Sequence, residues 1–369
     1  MHLTLDEITS LHVEITNKCN AACPMCGRNI FGGKTRNLRG LSEWSLADIS
    51  HVITPNLTSL EEIEFCGTHG DPIVAKNLIE AVKLAKSRDV RVRIITNGSY
   101  NDTKWWTELL SYLGKNDTVV FGIDGIETNH LYRIHTNIEL VMANLKLCCA
   151  SPIRVDWDFL VFKHNEHELE KCKNLAHELG IRRFRIRRTP RFSDIYPYPA
   201  VNNKNQITHY LELPENPELR HPDIDGLSQM VGQHDGLDEN KVQTMIAAIE
   251  SRTTPIVTEE QPYFSWKPET ITCLYRKEKK IYVNSRLEVF PCCYISDEYE
   301  TVKNKYVHQL QYPIGELSLR HNTWEEILNH PFYAHELGAS LSQNNTISRC
   351  IKSCGVFDRE KNQNINIRF

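Results

Sequence analysis

The sequence predicts an α/β protein built on a parallel sheet, and three observations carry that prediction. Short β-branched runs alternate with amphipathic stretches of helix length from Leu11 to about Arg188, the pattern of parallel strands joined by crossover helices. Turn-forming residues such as Gly70-Asp71-Pro72 and Asn97-Gly98 close several of the runs, giving those strands defined carboxyl ends. A chain of 369 residues, 40% hydrophobic and 24% charged, has enough material for one large domain with a smaller one.

In order, strands are expected at Leu11–Ile15, Glu62–Cys66, Val90–Thr96, Thr118–Ile123, Val155–Phe162 and Arg183–Arg187. The helices between them are expected at Trp44–Ile53, Ala75–Ser87, Thr103–Leu113, Ile138–Cys149 and Glu166–Leu179, with Gly180 as a C-cap. Six strands fall short of a closed eight-stranded barrel, and in folds of this kind ligands gather at the carboxyl ends of the strands. From about Tyr196 to Pro268 the pattern loosens into a proline-rich stretch. One helix is expected there, about Asp238–Ser251, with Val242, Met245, Ile246 and Ile249 on one face. A stretch this long reads as a covering insert or as a linker.

Composition narrows the function. A net charge of −4 supplies no global field toward nucleic acid. No apolar run approaches bilayer length, and the N-terminal residues lack the basic and apolar regions of a signal peptide. A cytoplasmic protein with no membrane partner is the expectation. Twelve cysteines without an export signal point to metal or redox chemistry rather than to disulfides.

Three of those cysteines, Cys19, Cys23 and Cys26, stand at C-x3-C-x2-C spacing directly after the first strand run. Thiolates suit iron–sulfur clusters and zinc. Four cysteines normally saturate a [4Fe–4S] cluster, so a loop holding three leaves one iron open to a reacting ligand. A zinc knuckle completed by His12 or His51 is the alternative.

This spacing at the top of a first strand resembles the signature of the radical S-adenosylmethionine (SAM) superfamily. The resemblance implies a partial (β/α)6, TIM-like barrel whose [4Fe–4S] cluster is held by Cys19, Cys23 and Cys26 and whose open iron is chelated by SAM. One electron, from a donor such as flavodoxin or ferredoxin, then cleaves SAM to methionine and a 5′-deoxyadenosyl radical that abstracts a substrate hydrogen. Further segments extend the likeness. Phe65-Cys66-Gly67-Thr68-His69-Gly70-Asp71-Pro72 resembles the family's Gly-Gly-Glu-Pro loop, with His69 for the first glycine and Asp71 for the glutamate. It implies that Gly70 and Asp71 meet the SAM amino group. Asn97 falls where the family uses polar side chains near the ribose and carboxylate. Phe121-Gly122-Ile123-Asp124-Gly125 is similar to the S-I-D-G segment, which implies ribose contacts for Asp124. His130-Leu131-Tyr132-Arg133 resembles an H-x-x-x-R stretch shortened by one residue, which implies that Arg133 meets the SAM carboxylate. The Met25 carbonyl is expected at the adenine amino group. No general acid or base can be assigned.

A second cysteine group follows. Cys273 precedes a hairpin expected at Ile281–Val283 and Glu288–Phe290, then come Pro291-Cys292-Cys293, a helix containing Trp324, and the pair Cys350 and Cys354. This order resembles the twitch domain, a shortened SPASM domain, and implies an auxiliary [4Fe–4S] cluster on Cys273, Cys292, Cys350 and Cys354. Cys293 is an alternative to Cys292, Leu287 stands where the family usually has glycine, and a four-cysteine zinc site is the competing reading. Cys66, Cys148, Cys149 and Cys172 read as small buried hydrophobes. The domains expected are therefore 1–195, the partial barrel; 196–268, an insert or linker and candidate lid; and 269–369, a small α+β twitch/SPASM-like domain.

The sixth strand is unusual, because Arg183, Arg185 and Arg187 share one face and Phe184 and Ile186 the other. Turned into the barrel, the arginines offer forked donors to phosphate or carboxylate. Turned outward, the Arg182–Arg191 stretch is a nucleic-acid footprint or a charge-protected edge strand, and its polarity at the end of the sheet predicts an edge. The expected function is a radical SAM oxidoreductase that oxidises or cross-links a peptide side chain or a small polar molecule. No segment has the pattern of a leader-binding domain, which favours a small or free-standing substrate. Nucleotide or RNA modification is the second enzyme reading, and a zinc-stabilised binding module without catalysis is the reading from another class.

Overall fold

In the computed structural model, which describes residues 3–36, 38–193, 195–222, 239–251, 271–301, 315–341, 350, 354 and 364–369, strands and helices alternate as the hydrophobic pattern requires. The strands are β1 (Ser10–Val13), β2 (Glu62–Phe65), β3 (Arg91–Thr96), β4 (Thr118–Gly122), β5 (Arg154–Leu160) and β6 (Arg183–Arg187). Helices α1 (Leu46–Val52), α2 (Leu78–Ser87), α3 (Thr103–Ser111), α4 (Asn129–Tyr132), α5 (Ile138–Cys149) and α6 (Leu169–Glu178) fall between them. Local chemistry sets the starts. Ser45 and Asp48 form a capping box on α1, and Asp102 and Asn137 cap α3 and α5 through side-chain oxygens. Beyond β6 come β7 (Tyr198–Val201), β8 (Ile207–Leu211), α7 (Glu239–Glu250), α8 (Leu274–Lys277), β9 (Lys280–Val283), β10 (Val289–Phe290), α9 (Cys293–Thr301), α10 (Trp324–Asn329) and β11 (Ile365–Arg368).

The chain divides into two compact units. One holds Met1–Lys18, Leu38–Arg93 and Ile256–Phe357. There β1 pairs in parallel with β2 on one side and with β9 on the other, and β10 turns back antiparallel on β9. Leu11 faces Ile63 and Ile281 across the ladders, Val13 faces Phe65 and Val283, and all six are buried. The expected hairpin at 281–290 is present, and it continues the β1 side of the sheet. Buried Trp44 donates its indole N–H to the Asn284 carbonyl at 3.0 Å, and Trp324 donates to Val52 at 3.2 Å. The tryptophan of α10 thus serves as an anchor as well as core.

The other unit holds Cys19–Asn37, Ile94–Pro255 and Asp358–Phe369. β4, β5 and β6 pair in parallel, with Phe121 opposite Trp157 and Trp157 opposite Phe184. β6 is not an edge: β11 pairs antiparallel along it, Ile367 opposite Phe184. A distant four-residue strand supplies the cover that the charge pattern alone could not reveal. The loosened stretch holds the antiparallel pair β7 and β8, disguised in the sequence by Pro197 and Pro199, as well as the expected helix. On α7, Val242 and Ile246 are buried against Ile30, Phe31 and Val201, and Met245 and Ile249 pack at the margin. Among the described residues no helix is long and apolar enough to cross a membrane.

Candidate active site

The cysteine loop is held by its own backbone and by the ends of neighbouring strands. Cys26 N–H donates to the Cys23 carbonyl at 3.1 Å and Asn29 N–H to the Cys26 carbonyl at 3.0 Å, so the second and third cysteines share one turn. Buried Asn97, just beyond β3, donates to Asn20 Oδ1 at 3.0 Å and reaches Cys19 Sγ at 3.8 Å; Asn20 in turn donates to the Ser99 carbonyl at 2.8 Å. Asn97 therefore positions the loop that carries Cys19. Ala21, Cys23 and Met25 pack with Tyr132, Phe162, Phe192, Leu211 and Leu213, and Cys19, Cys26 and Leu160 lie against the same group. Part of that apolar cover comes from β8, within the expected insert. The Met25 carbonyl accepts from Arg191 Nη1 at 2.5 Å, a partner that the sequence did not suggest.

Burial pushes the Cys23 thiol up to about 12, against the pull of nearby Arg133. Arg133 is the electrostatic centre of this unit. Its Nε donates to Asp124 Oδ2 at 2.6 Å, and a side chain on Gly122 would stand 2.7 Å from its Nη2, so the glycine makes room for it. Burial works against the guanidinium charge, but Asp124 and then Cys23 more than offset that, and its pKa stands well above the ordinary value. Burial pushes the Asp124 carboxyl up, opposed by Arg133 and by the Leu160 N–H that reaches Oδ1 at 2.7 Å. The paired, charged form is the one this geometry favours. Asp124 is fully buried and both its oxygens accept bonds from within the protein.

In the other unit, the loop after β2 shows why its glycines are there. A Cβ on Gly70 would stand 1.8 Å from the Thr16 carbonyl oxygen, and one on Gly67 would stand 2.2 Å from the Gly70 oxygen. The His69 and Gly70 N–H groups both donate to Glu14 Oε1, at 2.7 and 3.1 Å. Glu14 is buried one residue beyond β1 and was missed by the sequence reading; its signal is a lone carboxylate closing an apolar run. Asp71 N–H donates to the carbonyl of Lys18, the residue before Cys19, at 2.8 Å, while Asp71 Oδ1 accepts from Ile73 N–H at 3.2 Å. His69 Nε2 meets Asp297 on α9 at 3.0 Å, so the residue in place of the family's first glycine holds the helix that follows Cys292.

The second cysteine group lies in the same unit as Asp71. Cys292, Cys350 and Cys354 are buried and Cys273 is half-buried. Burial raises the Cys292 thiol, and the charges of Cys293, Cys350 and Cys273 add to the rise; burial and Cys354 raise Cys273. Cys293 turns elsewhere: its sulfur meets the Tyr275 hydroxyl at 3.1 Å, and that hydroxyl lies 3.4 Å from His12 Nδ1. His12 Nε2 meets the Cys66 carbonyl at 2.8 Å, which engages one of the two histidines of the zinc-knuckle alternative. Among the described residues no group of three or more His, Cys, Asp or Glu side chains stands in metal-ligand geometry. The fit to a cluster thus rests on sulfur content and on spacing in the sequence. Of the unassigned cysteines, Cys148 and Cys172 are buried, whereas Cys66 and Cys149 are half-buried.

The arginines of β6 are paired. Arg182 and Arg183 meet Asp156, Arg185 and Arg187 meet Asp158, and Arg188 donates to the Glu218 and Arg220 carbonyls.

Residues 13–176 match the family model of the Radical SAM superfamily. The segment that carries the cysteine loop and the strand-end motifs is therefore similar to the radical SAM domain, whose family binds a [4Fe–4S] cluster and SAM. The architecture is α/β with a mostly parallel sheet. Among solved structures, SuiB from Streptococcus suis bound to S-adenosylmethionine aligns at 13% identity and TM-score 0.47, over 83% of this chain and 66% of SuiB. The chain thus spans just under two thirds of SuiB. The AdoMet-bound anSMEcpe structure aligns at 14% and 0.49, over 89% of this chain and 79% of that one. BtrN in complex with AdoMet and 2-DOIA aligns at 13% and 0.39, over 93% and 89%. No curated protein matches.

Proposed function

We propose that the protein is a radical SAM oxidoreductase with an auxiliary cluster, acting on a peptide side chain or a small polar molecule. The observation that carries this is the C-x3-C-x2-C loop, packed under Phe162, Phe192 and Leu211 and tied to the end of β3 by Asn97, inside the matched domain. When bound, the cluster supplies the electron that cleaves SAM to the 5′-deoxyadenosyl radical. The chain does the rest. Cys19, Cys23 and Cys26 hold the cluster, and ligation removes the Cys23 proton that burial otherwise retains. Gly70, Asp71, Asn97 and Arg133 position SAM, and Asp124 acts by holding Arg133. The apolar cover over the loop excludes water from the reacting centre. Cys273, Cys292, Cys350 and Cys354 hold the auxiliary cluster, with Cys292 preferred because Cys293 is engaged by Tyr275. Residues 1–195 then act as the barrel, 196–268 as its cover and 269–369 as the auxiliary region. Flavodoxin or ferredoxin would deliver the electron. The pairing of Arg182–Arg188 within the fold weighs against a nucleic-acid footprint.

Iron, sulfide and zinc content of anaerobically purified protein, together with 5′-deoxyadenosine formation from SAM after dithionite reduction, tests the reading. About eight irons per chain are expected, with 5′-deoxyadenosine formed. Replacing Cys19, Cys23 and Cys26 by Ala should leave about four irons and abolish the product. Zinc in place of iron, with no SAM cleavage, would remove the mechanism and leave a zinc-stabilised module.

A further inference from the structure

The proposed function gives the arginines of β6 no task, yet their placement points to one. In the β5–β6 ladder Asp156 stands opposite Arg183, Asp158 opposite Arg185 and Leu160 opposite Arg187. Facing partners in a ladder project to one side of the sheet, and residues two apart along a strand share that side. All six therefore occupy one face. Leu160 identifies it, because Leu160 packs on the apolar group that contains Cys23 and touches Cys19 and Cys26. Arg187 stands level with Leu160, on the side of the cysteine loop.

Among the described residues, Asp156 and Asp158 are shared by several guanidiniums. Asp156 takes the fork of Arg182 at 2.9 and 2.6 Å and a further bond from Arg183 at 2.7 Å. Asp158 takes the fork of Arg185, two bonds of 2.6 Å. Arg187 reaches Asp158 only through Nη1, at 3.3 Å, on an oxygen that Arg185 already holds, and its side chain is 45% exposed. Among the described residues these two carboxylates thus meet four guanidiniums, and Arg187 is the most weakly held of them. A further guanidinium, Arg191, lies at the loop itself through its bond to Met25. A guanidinium fork matches a carboxylate or a phosphate, and Arg187 keeps most of its donors for such a group.

We propose that Arg187, supported by Arg191, binds an anionic group of the substrate, carboxylate or phosphate, and holds it beside the cysteine loop. The assignment of that group to the substrate rests on the radical SAM reading; the anion site itself does not.

The test titrates anaerobically reconstituted protein with inorganic phosphate and, in a separate arm, with acetate, by calorimetry with and without saturating SAM. Saturable binding that weakens with salt is expected, with the tighter anion naming the group. Arg187→Met should raise Kd at least about tenfold and Arg187→Lys by less. The same anion should protect Arg187 of the wild-type protein from phenylglyoxal, read by peptide mass mapping, a measurement that needs no variant. Absent binding, an unchanged Kd in Arg187→Met or absent protection overturns the site. Loss of anion binding when SAM is added assigns Arg187 to the cofactor carboxylate and overturns the substrate assignment. 5′-Deoxyadenosine formation by the same wild-type preparation is scored separately, so failure of the radical reading and failure of the anion site are read on different assays.

Discussion

Gly70→Ala is the sharpest probe of the loop after β2. The added Cβ would stand 1.8 Å from the Thr16 carbonyl oxygen and 2.9 Å from Asn17 Cα, and real Cβ atoms essentially never approach closer than 3.0 Å. Both obstacles are backbone, so no side-chain rotation relieves them and the loop must move by about an ångström or more. Three bonds lie in the path of that movement: His69 and Gly70 to Glu14, at 2.7 and 3.1 Å, and Asp71 to Lys18, at 2.8 Å. Hydrogen bonds to a charged group contribute about 1.5–3 kcal/mol and neutral ones about 1 kcal/mol. Losing one of each costs about 2–4 kcal/mol. Lys18 is covalently joined to Cys19, so the displacement reaches the cysteine loop. Urea unfolding should show the lost stability, and calorimetry on reconstituted protein should show SAM binding weakened at least about tenfold. Stability within about 0.5 kcal/mol of wild type, with unchanged SAM affinity, would refute the argument.

Two further outcomes follow from buried charge. Asp124→Asn leaves the partly exposed Arg133 without its carboxylate; a cost of about 2–3 kcal/mol is expected in urea unfolding, below the full penalty for a sealed pair. Asp124 also holds the Cys23 thiol up, so the variant should bring that pKa down from about 12 and speed alkylation of Cys23 by iodoacetamide in the apoprotein; an unchanged rate would refute the coupling. His69 works against burial, but Asp297 and Glu14 raise its pKa above 6.5. A raised histidine contributes stability that is complete below its unfolded pKa and is lost as pH rises through the folded one. The advantage of wild type over His69→Gln should therefore shrink as pH rises from the ordinary histidine value of 6.5 through the raised folded one, and an advantage that grows with pH would contradict the assignment.

What the sequence revealed and what it hid divide along physical lines. Strands β1 to β6 and helices α5 and α7 were legible because one hydrophobic period runs through each of them. β11 was not, because four residues with three exposed give no pattern, and only pairing with β6 makes them a strand. The pair β7 and β8 was hidden by prolines that a two-stranded edge tolerates. At the site, cysteine spacing was legible because ligand chemistry is local. The partners of Asp124, Arg133 and Asp71 were not, since each depends on residues brought together by the fold. Leu287 shows how a departure from a family pattern can still satisfy the backbone. It sits at φ +66°, the left-handed region that glycine enters freely, but its side chain is buried to 2% exposure. The left-handed backbone costs a leucine about 1–2 kcal/mol, and burying that side chain returns about 1.5–3 kcal/mol, so leucine is tolerated there.

The same weighing applies to Cys23. Its apolar surroundings favour the thiol, and a thiol ligates poorly, because metal binding needs the thiolate. The fold sets Arg133 against this, close enough to pull the Cys23 pKa down and held in place by the sealed carboxylate of Asp124. Asp124 alone would repel a thiolate, and Arg133 alone would be a half-buried cation without its carboxylate. Together they bring positive charge to the sulfur while keeping the pair compensated. An arginine paired in this way eases thiolate formation in an apolar loop and stands beside the cysteine that the proposed function assigns to the cluster. That is a physical reason for the Asp124-to-Arg133 segment to accompany the cysteine motif in one chain.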